Sequence, residues 1–275
     1  MGRLRASVND TFFSHNTPES FYWAGFIAAD GCILGNNRMS LYLASKDKNH
    51  VEKLTKALDY DGKICYSRVR NAYGVSITSE RIVMDLQRFN IFERKSLTYK
   101  FPEFVIGHNF CNHFMRGYFD GDGSFNIDSR LKTKQLRFAL RGTVEFLTTY
   151  RNILETACGF EKRERSIPIE SGCGNLSYSG RLKPSKIVDF LYKNSSDAIQ
   201  LQRKYDVSHL SIFREKLNFN FSKKSVIGTN INDGQKIILG SMKEAESCGF
   251  RYQGISACCR GESKFHKGYT WRYAN

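Results

Sequence analysis

Two segments of the chain repeat a pattern that ends in an acid followed by glycine. Residues 21–31 read FYWAGFIAADG and residues 114–123 read FMRGYFDGDG, so Asp30 and Asp122 occupy matching positions. An Asp-Gly pair after an apolar run indicates a carboxylate at a helix C-terminus, where the helix dipole disfavours negative charge unless a cation compensates it. Two such carboxylates side by side would form an oxygen site suited to magnesium or manganese. The alternative, a helix-end acid in a structural turn, does not explain the duplication.

Small residues in both segments would allow the two helices to approach closely. Those spaced four apart are Ala24 and Ala28, Gly25 and Ala29, and Gly117 and Gly121. Residues at that spacing share one helix face, and small side chains there permit close contact between backbones. The pattern therefore predicts that the two acids meet at a shared helix end.

Further echoes show that the whole segment around each motif is duplicated. Residues 81–86 (RIVMDL) return at 186–191 (KIVDFL), and residues 93–96 (ERKS) return at 202–205 (QRKY). The order is kept while the spacing drifts, as expected after duplication of one unit. The sequence therefore predicts an α+β fold of two pseudo-symmetric αββαββα units, over residues 1–107 and 108–212.

Hydrophobic periodicity gives the predicted elements of each unit. The first unit has helices over 18–29, 49–58 and 81–89, a strand over 38–46, and a hairpin from 64–70 and 73–78. The second has a strand around 136–141, helices over 143–157 and 184–193, and strands near 162–168 and 175–180.

One face of the predicted hairpins is basic. Met39, Leu41 and Leu43 alternate with polar residues, and the same alternation recurs around Arg137 and Arg141. Antiparallel ribbons with such faces read base edges in the major groove of DNA. Solvated strand faces explain any single hairpin equally well, but not a face that recurs in both units. The candidate DNA contacts are Arg38, Ser40, Tyr42, Lys46, Arg68, Arg70, Arg130, Lys132, Lys134, Arg137, Arg141, Arg163 and Arg165.

The overall charge favours a polyanionic partner. Lys and Arg total 42 against 27 acids, a net charge of +15. Such an excess is more typical of nucleic-acid binding than of membrane binding, although basic proteins without such partners exist. The chain shows neither a secretion signal nor an apolar run long enough for a membrane helix, so we expect a cytoplasmic or organellar protein. Its eight cysteines contain no CxxC pair, which indicates reduced thiols rather than a zinc site.

Residues 23–31 and 115–123 resemble the two signature motifs of LAGLIDADG homing endonucleases, and the resemblance covers residues 18 to about 212. It implies a monomer whose two sheets form a saddle on about two turns of duplex DNA. It also implies two or three Mg²⁺ or Mn²⁺ ions held by Asp30 and Asp122, with help from the carbonyls of Ala29 and Gly121. The sixth motif position departs between the copies, being Asp120 in the second and Ala28 in the first.

The resemblance also implies a catalytic lysine in each unit. The family places one shortly before a proline, and here both Lys95 and Lys100 precede Pro102. We prefer Lys100, and the pseudo-symmetric candidate in the second unit is Lys204. A phosphate contact or a solvated lysine is the alternative for each of them.

The tail is expected to form a separate module. Residues 213–222 are interpreted as a linker, followed by a basic segment over 223–275 with two helices near 241–249 and 252–261 and a strand over 268–273. This segment resembles the nuclease-associated modular domains of homing enzymes. The resemblance implies that its second helix docks on DNA through Gln253, Ser256 and Arg260. A packing subdomain without DNA contact is the alternative.

Together these features predict a site-specific endonuclease that cuts both strands of DNA and leaves short 3′ overhangs. Two other classes share the implied fold, namely RNA maturases that help an intron to fold and regulators that bind DNA without cutting it. Retention of both Asp30 and Asp122 argues against a regulator. It leaves open an additional intron RNA partner.

Overall fold

The computed structural model describes residues 6–128, 135–162, 165–180, 182–210, 225–240 and 242–274. The chain divides into two compact units, residues 1–217 and 218–275. The predicted linker over 213–222 lies outside the described residues.

The larger unit contains the two predicted halves in sequence order. The elements of the first half are α1 (Pro18–Asp30), β1 (Gly31–Leu34), β2 (Arg38–Ala44), α2 (Lys48–Ala57), β3 (Cys65–Ser67), β4 (Ala72–Thr78) and α3 (Glu80–Gln87). Those of the second half are α4 (Cys111–Asp122), β5 (Gly123–Asp128), β6 (Gln135–Gly142), α5 (Val144–Cys158), β7 (Ile169–Glu170), β8 (Cys173–Gly180), α6 (Leu182–Leu191) and α7 (Gln202–Ser208). The predicted α+β class and the repeated element order are confirmed.

Each half builds one antiparallel four-stranded sheet with the same topology. The strand orders are β1-β2-β4-β3 and β5-β6-β8-β7. The edge strand of each sheet begins directly after a motif helix, with Gly31 paired to Leu41 and Gly123 paired to Leu140. Because the motif helix runs into the edge strand, the position of each sheet follows from the position of its helix.

The two motif helices, α1 and α4, pack against each other at two glycines. A Cβ placed on Gly117 would lie 1.9 Å from the carbonyl oxygen of Tyr22, and one on Gly25 would lie 2.1 Å from that of Phe114. These distances leave no room for a methyl group, so the helix backbones are in direct contact. The prediction from the small residues is confirmed, and of the pairs at that spacing Gly25/Ala29 and Gly117/Gly121 lie at the contact.

The surrounding core explains why α1 is apolar on nearly every side. Residues 20–28 are all buried, and the helix starts with a capping box between Thr17 and Ser20. Both sheets bury their inner faces in the same core, as Met39 and Leu41 do in β2 and Phe138 and Leu140 in β6. A helix that is hydrophobic all round is one enclosed by protein.

Several predicted boundaries are wrong for reasons of local geometry. Strand β2 ends at Ala44, and Lys46 lies in a short 3₁₀ helix beyond it. The predicted strand over 64–70 shrinks to Cys65–Ser67, because the chain turns at residues 68–71 with Asn71 at a positive φ. The strand predicted near 162–168 is replaced by Ile169–Glu170. Helix α7, which carries Lys204, was not predicted as an element.

In its described residues, the smaller unit has a three-stranded sheet and two helices. Its elements are β9 (Val226–Asn230), β10 (Lys236–Leu239), α8 (Met242–Ser247), α9 (Tyr252–Cys259) and β11 (Tyr269–Tyr273), and the strand order is β10-β9-β11. Val226, Ile255 and Trp271 lie in its small core. The two helices and the last strand occupy the predicted places, whereas β9 and β10 were not predicted.

The eight cysteines are free thiols. Within the described part of the chain, no helix is both long enough and apolar enough to cross a membrane.

The glycine contact gives a stability prediction. Replacing Gly117 with Ala should lower the free energy of unfolding by at least about 3 kcal/mol, because the new methyl group overlaps the backbone of α1. Gly35 is the matched control, since a Cβ there meets nothing within 4 Å and the Gly35→Ala change should stay within about 0.5 kcal/mol. Chemical denaturation measures both variants. Equal stability of the two would contradict direct contact between the backbones.

Candidate active site

Asp30 and Asp122 end the two helices that the glycines bring together. The packing continues to the helix ends, where a Cβ on Gly121 would lie 2.4 Å from the Cβ of Ala29 and 3.4 Å from Oδ2 of Asp30. Both aspartates are exposed to solvent. The structure therefore places the two carboxylates beside each other at the accessible end of the helix pair.

The surroundings of the two carboxylates disfavour their charged forms and so raise both pKa values. The nearby protein atoms that displace water, and then the charge of Asp122, raise the pKa of Asp30 to about 6. The pKa of Asp122 is raised as well by desolvation, against the opposing charges of two lysines and a hydrogen bond donated by the hydroxyl of Tyr118. Like charges held together in this way favour a cation between them.

Lys95 lies beside the end of α1. Its side chain is only 7% exposed, and its Nζ donates a hydrogen bond of 2.8 Å to the carbonyl oxygen of Gly31. A 3₁₀ helix over Lys95–Leu97 holds it there, preceded by Arg94 in the left-handed region at φ 55°. Burial lowers the pKa of Lys95, while the charge of Asp122 opposes that shift.

Lys204 lies beside the end of α4 and makes more hydrogen bonds than Lys95 does. Its Nζ donates to the carbonyl oxygens of Phe119 at 2.9 Å, Asp120 at 2.6 Å and Gly121 at 3.1 Å. Burial lowers the pKa of Lys204 to about 8. Each motif helix therefore ends at a carboxylate and a buried lysine, and the lysine compensates the negative end of the helix dipole.

Of the two candidate lysines of the first half, the structure places Lys95 beside the end of α1 and Lys100 at the surface. Lys100 is exposed, and its Nζ pairs with Glu145 at 3.0 Å. Lys95 is the lysine whose charge acts on both Asp30 and Asp122. The turn at Arg94 determines which lysine points inward, and spacing from a proline carries no information about that turn.

Two residues of the site were missed from the sequence. Tyr118 lies inside the second motif, and its hydroxyl bonds to Asp122. Arg203 precedes Lys204 and makes a two-point ion pair with Asp47 of the first half, at 2.8 and 3.0 Å. The echo of residues 93–96 at 202–205 could have drawn attention to Arg203. The tyrosine had no comparable signal.

Of the four basic candidates in the first half, only Arg38 lies on a strand of the first sheet. Arg38 is exposed at the start of β2, and the guanidinium of Arg70 lies 6.0 Å from the half-buried Tyr42 ring. Arg68, Arg70 and Lys46 are all exposed and lie outside the strands. Ser40 is only 5% exposed because its hydroxyl bonds to that of a serine on the neighbouring strand β4. It is therefore not free to contact DNA.

The second sheet carries two of the predicted arginines on one strand, β6. Arg141 is exposed and Arg137 is half-buried, with its Nε atom enclosed and unpaired. Arg165 is exposed beyond the strands. The remaining candidates, Arg130, Lys132, Lys134 and Arg163, lie outside the described residues.

Two of the three predicted contacts in the smaller unit are occupied within that unit. Gln253 is exposed, but Ser256 is only 4% exposed and accepts a hydrogen bond from Arg260. The guanidinium of Arg260 also pairs with both oxygens of Glu262, at 2.7 and 2.8 Å. Of the three residues, Gln253 is therefore the one whose side chain is available for a DNA contact through α9.

The donor set at the paired aspartates consists of oxygen atoms. Within the described residues, no group of three or more His, Cys, Asp or Glu side chains could hold a metal ion. Two carboxylates with adjacent carbonyls suit a hard cation that keeps several water ligands, as Mg²⁺ does. They do not suit zinc, whose protein sites include nitrogen or sulfur ligands from His or Cys.

Comparisons with known proteins give one match of sequence. No family model matches the chain. The probable mobile endonuclease C of Enterobacteria phage T4 is 34% identical over 71 residues, which are 26% of this chain and 33% of that protein. The chain thus spans about a third of the length of the curated relative that it matches.

Similar solved structures cover most of the chain at low identity. The LAGLIDADG homing endonuclease I-LtrWI bound to target DNA is 13% identical, over 75% of this chain and 91% of that one, with a TM-score of 0.48. The homing endonuclease I-WcaI bound to its DNA recognition sequence is 15% identical, over 70% and 90%, with a TM-score of 0.48. The LAGLIDADG meganuclease I-CpaMI bound to uncleaved DNA is 17% identical, over 73% and 90%, with a TM-score of 0.47.

The mutual influence of the carboxylates gives a pH prediction. In an Asp122→Asn variant the pKa of Asp30 should fall from about 6 but stay above its ordinary 3.8, because desolvation persists. Carbon NMR of the side-chain carboxyls measures it, and Asp233→Asn in the smaller unit is the control. Since folding raises this pKa, Asp30 favours the folded state at low pH, and that contribution is lost as pH rises through about 6. An unchanged Asp30 titration in Asp122→Asn would show that the carboxylates do not interact.

Proposed function

We propose that this chain is a site-specific DNA endonuclease of the LAGLIDADG homing type, which hydrolyses one phosphodiester bond in each strand. The observation that carries the proposal is the pair of carboxylates at the contacting ends of α1 and α4, each with a buried lysine beside it. Two reaction centres related by a pseudo-two-fold axis match a substrate whose two strands are themselves related by such an axis. The name of the partial relative in phage T4 agrees with this class of activity.

The donor set fits the divalent cation that such a reaction uses. Asp30 and Asp122 would hold Mg²⁺ or Mn²⁺, and the carbonyls of Ala29 and Gly121 are the proposed additional ligands. The Gly121 carbonyl already accepts from Lys204 and retains a second lone pair. A bound divalent cation supplies Lewis-acid stabilisation of the charge that develops on the phosphate. We propose two or three ions, as the family resemblance implies.

The protein side chains have two tasks at each centre. The carboxylates concentrate negative charge where a cation is needed, and Tyr118 orients one of them through its hydroxyl. The lysines hold positive charge beside the reacting phosphate without leaving the helix ends, because their ammonium groups are bonded to backbone carbonyls. A fixed charge of this kind stabilises a transition state without reorganisation.

The two basic sheet faces would bind the duplex on either side of the centres. Arg38, Arg70 and Arg141 are exposed on or beside these faces. Arginine reads guanine by two hydrogen bonds in the major groove. We further propose that the protein acts as a monomer in a compartment that contains DNA, that the product ends carry short 3′ overhangs, and that residues 223–275 form a module that extends the footprint.

The first test removes the carboxylates. Asp30→Asn and Asp122→Asn should each abolish cutting of both strands while DNA binding stays within about threefold, since neither change alters the basic faces. The substrate is the intron-free form of the gene that surrounds the coding sequence, incubated with magnesium. Asp59→Asn, at an exposed turn with a positive φ that Asn tolerates, is the matched control and should cut normally. Full cutting by either active-site variant at equal binding would refute the assignment.

The second test separates the three lysines. Lys95→Met and Lys204→Met should each slow single-turnover cleavage of at least one strand by about a hundredfold, as loss of one charge-stabilising donor does. Lys100→Met should remain within about twofold of the wild type, because its exposed ion pair with Glu145 contributes little. The rates are measured at saturating protein. A large defect in Lys100→Met alone would restore the preference drawn from the sequence.

A further inference from the structure

The two halves differ at the motif position that lies two residues before each active-site aspartate. The second half has Asp120, which is 1% exposed, and the first has Ala28, which is 4% exposed. A buried carboxylate is costly unless it is bonded, whereas a buried methyl group costs nothing. The difference between the halves therefore requires a role for Asp120.

The side chain of Asp120 is bonded to three groups. Its Oδ2 accepts from the hydroxyl of Tyr22 at 2.8 Å and from the backbone N–H of Leu201 at 2.8 Å, and its Oδ1 accepts from the hydroxyl of Tyr192 at 3.2 Å. The fully buried Arg116 bonds to the carbonyl of Ile199 at 2.8 Å. These buried groups of α4 therefore fix residues 199–201, which lead into α7.

Leu201 connects Asp120 to the lysine of the second centre. Leu201 precedes α7, and its carbonyl accepts from the backbone N–H of Lys204 at 2.9 Å. The ammonium of Lys204 returns to the carbonyl of Asp120 itself at 2.6 Å. The side chain of Asp120 thus fixes the start of α7, and Lys204 on that helix donates to the backbone carbonyl of Asp120.

The first half holds its lysine differently. The echo between residues 93–96 and 202–205 pairs Phe92 with Leu201, and Phe92 is 50% exposed where Leu201 is 4% exposed. Lys95 lies on a three-residue 3₁₀ helix, whereas Lys204 lies on a seven-residue α-helix. The alanine at position 28 offers no side-chain acceptor to this segment.

We propose that Asp120 is a positioning residue for Lys204 alone, and that the two centres therefore depend on different supports. Loss of Asp120 should displace Lys204 and slow cleavage of one strand, leaving a nicked product. The cleavage part rests on the proposed function. The positioning part does not, and it has its own measurement.

Hydrogen–deuterium exchange of the free protein tests the positioning. In Asp120→Ala, the segment 199–208 should exchange about tenfold faster or more, because the Leu201 N–H loses its acceptor. The segment 92–99 should be unchanged. Asp120→Asn keeps an acceptor oxygen and should restore most of the protection. Equal acceleration of both segments, or no change in 199–208, would overturn the positioning role whether or not the protein cuts DNA.

Strand-resolved cleavage tests the consequence. On the duplex that the wild-type protein cuts, with each strand labelled separately, Asp120→Ala should slow the strand that Lys204→Met slows by about tenfold or more at saturating protein. The other strand should keep its rate, and Asp120→Asn should recover most of the loss. Asp85→Ala is the control, since Asp85 is a buried acid of the first half that bonds to Ser14 and Arg81. It should leave the ratio of the two strand rates unchanged.

A second variant keeps the test decisive if Asp120→Ala does not fold. Leu201→Pro removes the N–H that donates to Asp120, and the backbone suits proline, with φ −82° at Leu201 and an extended Gln200 before it. It should reproduce the same one-strand defect. Equal slowing of both strands by these variants would overturn the proposal. A wild-type protein that cuts neither strand would refute the proposed function instead, and the exchange data would still decide the role of Asp120.

Discussion

Contact between the backbones of α1 and α4 at Gly25 and Gly117 determines the rest of the larger unit. Because no side chain separates the helices there, their relative position is set by the backbones themselves. The contact extends to Gly121 and Ala29 and so brings the two aspartates together. Since β1 and β5 continue directly from these helices, the same contact also sets where each sheet begins.

That geometry concentrates negative charge at one end of the helix pair, where two lysines partly compensate it. Two helix C-termini and two carboxylates share one end of the helix pair, a combination that is unfavourable by itself. The ammonium groups of Lys95 and Lys204 lie against the terminal carbonyls and offset part of that charge. Desolvation, and then the charge of Asp122, still raise the pKa of Asp30 to about 6, and a bound cation would relieve both effects.

The sequence predicted the features that duplication repeats and missed those that depend on a single turn or a neighbouring strand. Asp30, Asp122 and Lys204 could be found because each has a counterpart in an aligned echo. The same echo pairs Lys95 with Lys204, whereas spacing from a proline favoured Lys100, and the left-handed Arg94 beside Lys95 leaves no periodic trace. Ser40 and Ser256 are buried beside their hydrogen-bond partners Ser76 and Arg260. The alternation of polar and apolar residues along one strand or helix does not reveal such partners. Strands β9 and β10 are five and four residues long, too short for a clear alternation.

The ion pair between Asp47 and Arg203 has a consequence for how such a chain can recombine. Its two ends are unequal, since the side chain of Asp47 is 10% exposed and that of Arg203 is 45% exposed. Without its partner the arginine could turn to solvent, whereas the aspartate would remain as an uncompensated charge at a largely buried position. The first half is therefore the dependent member of the pair. A chimera that inherits this first half needs a basic residue at the position of Arg203 from its new companion, while a chimera that inherits only the second half carries no such requirement.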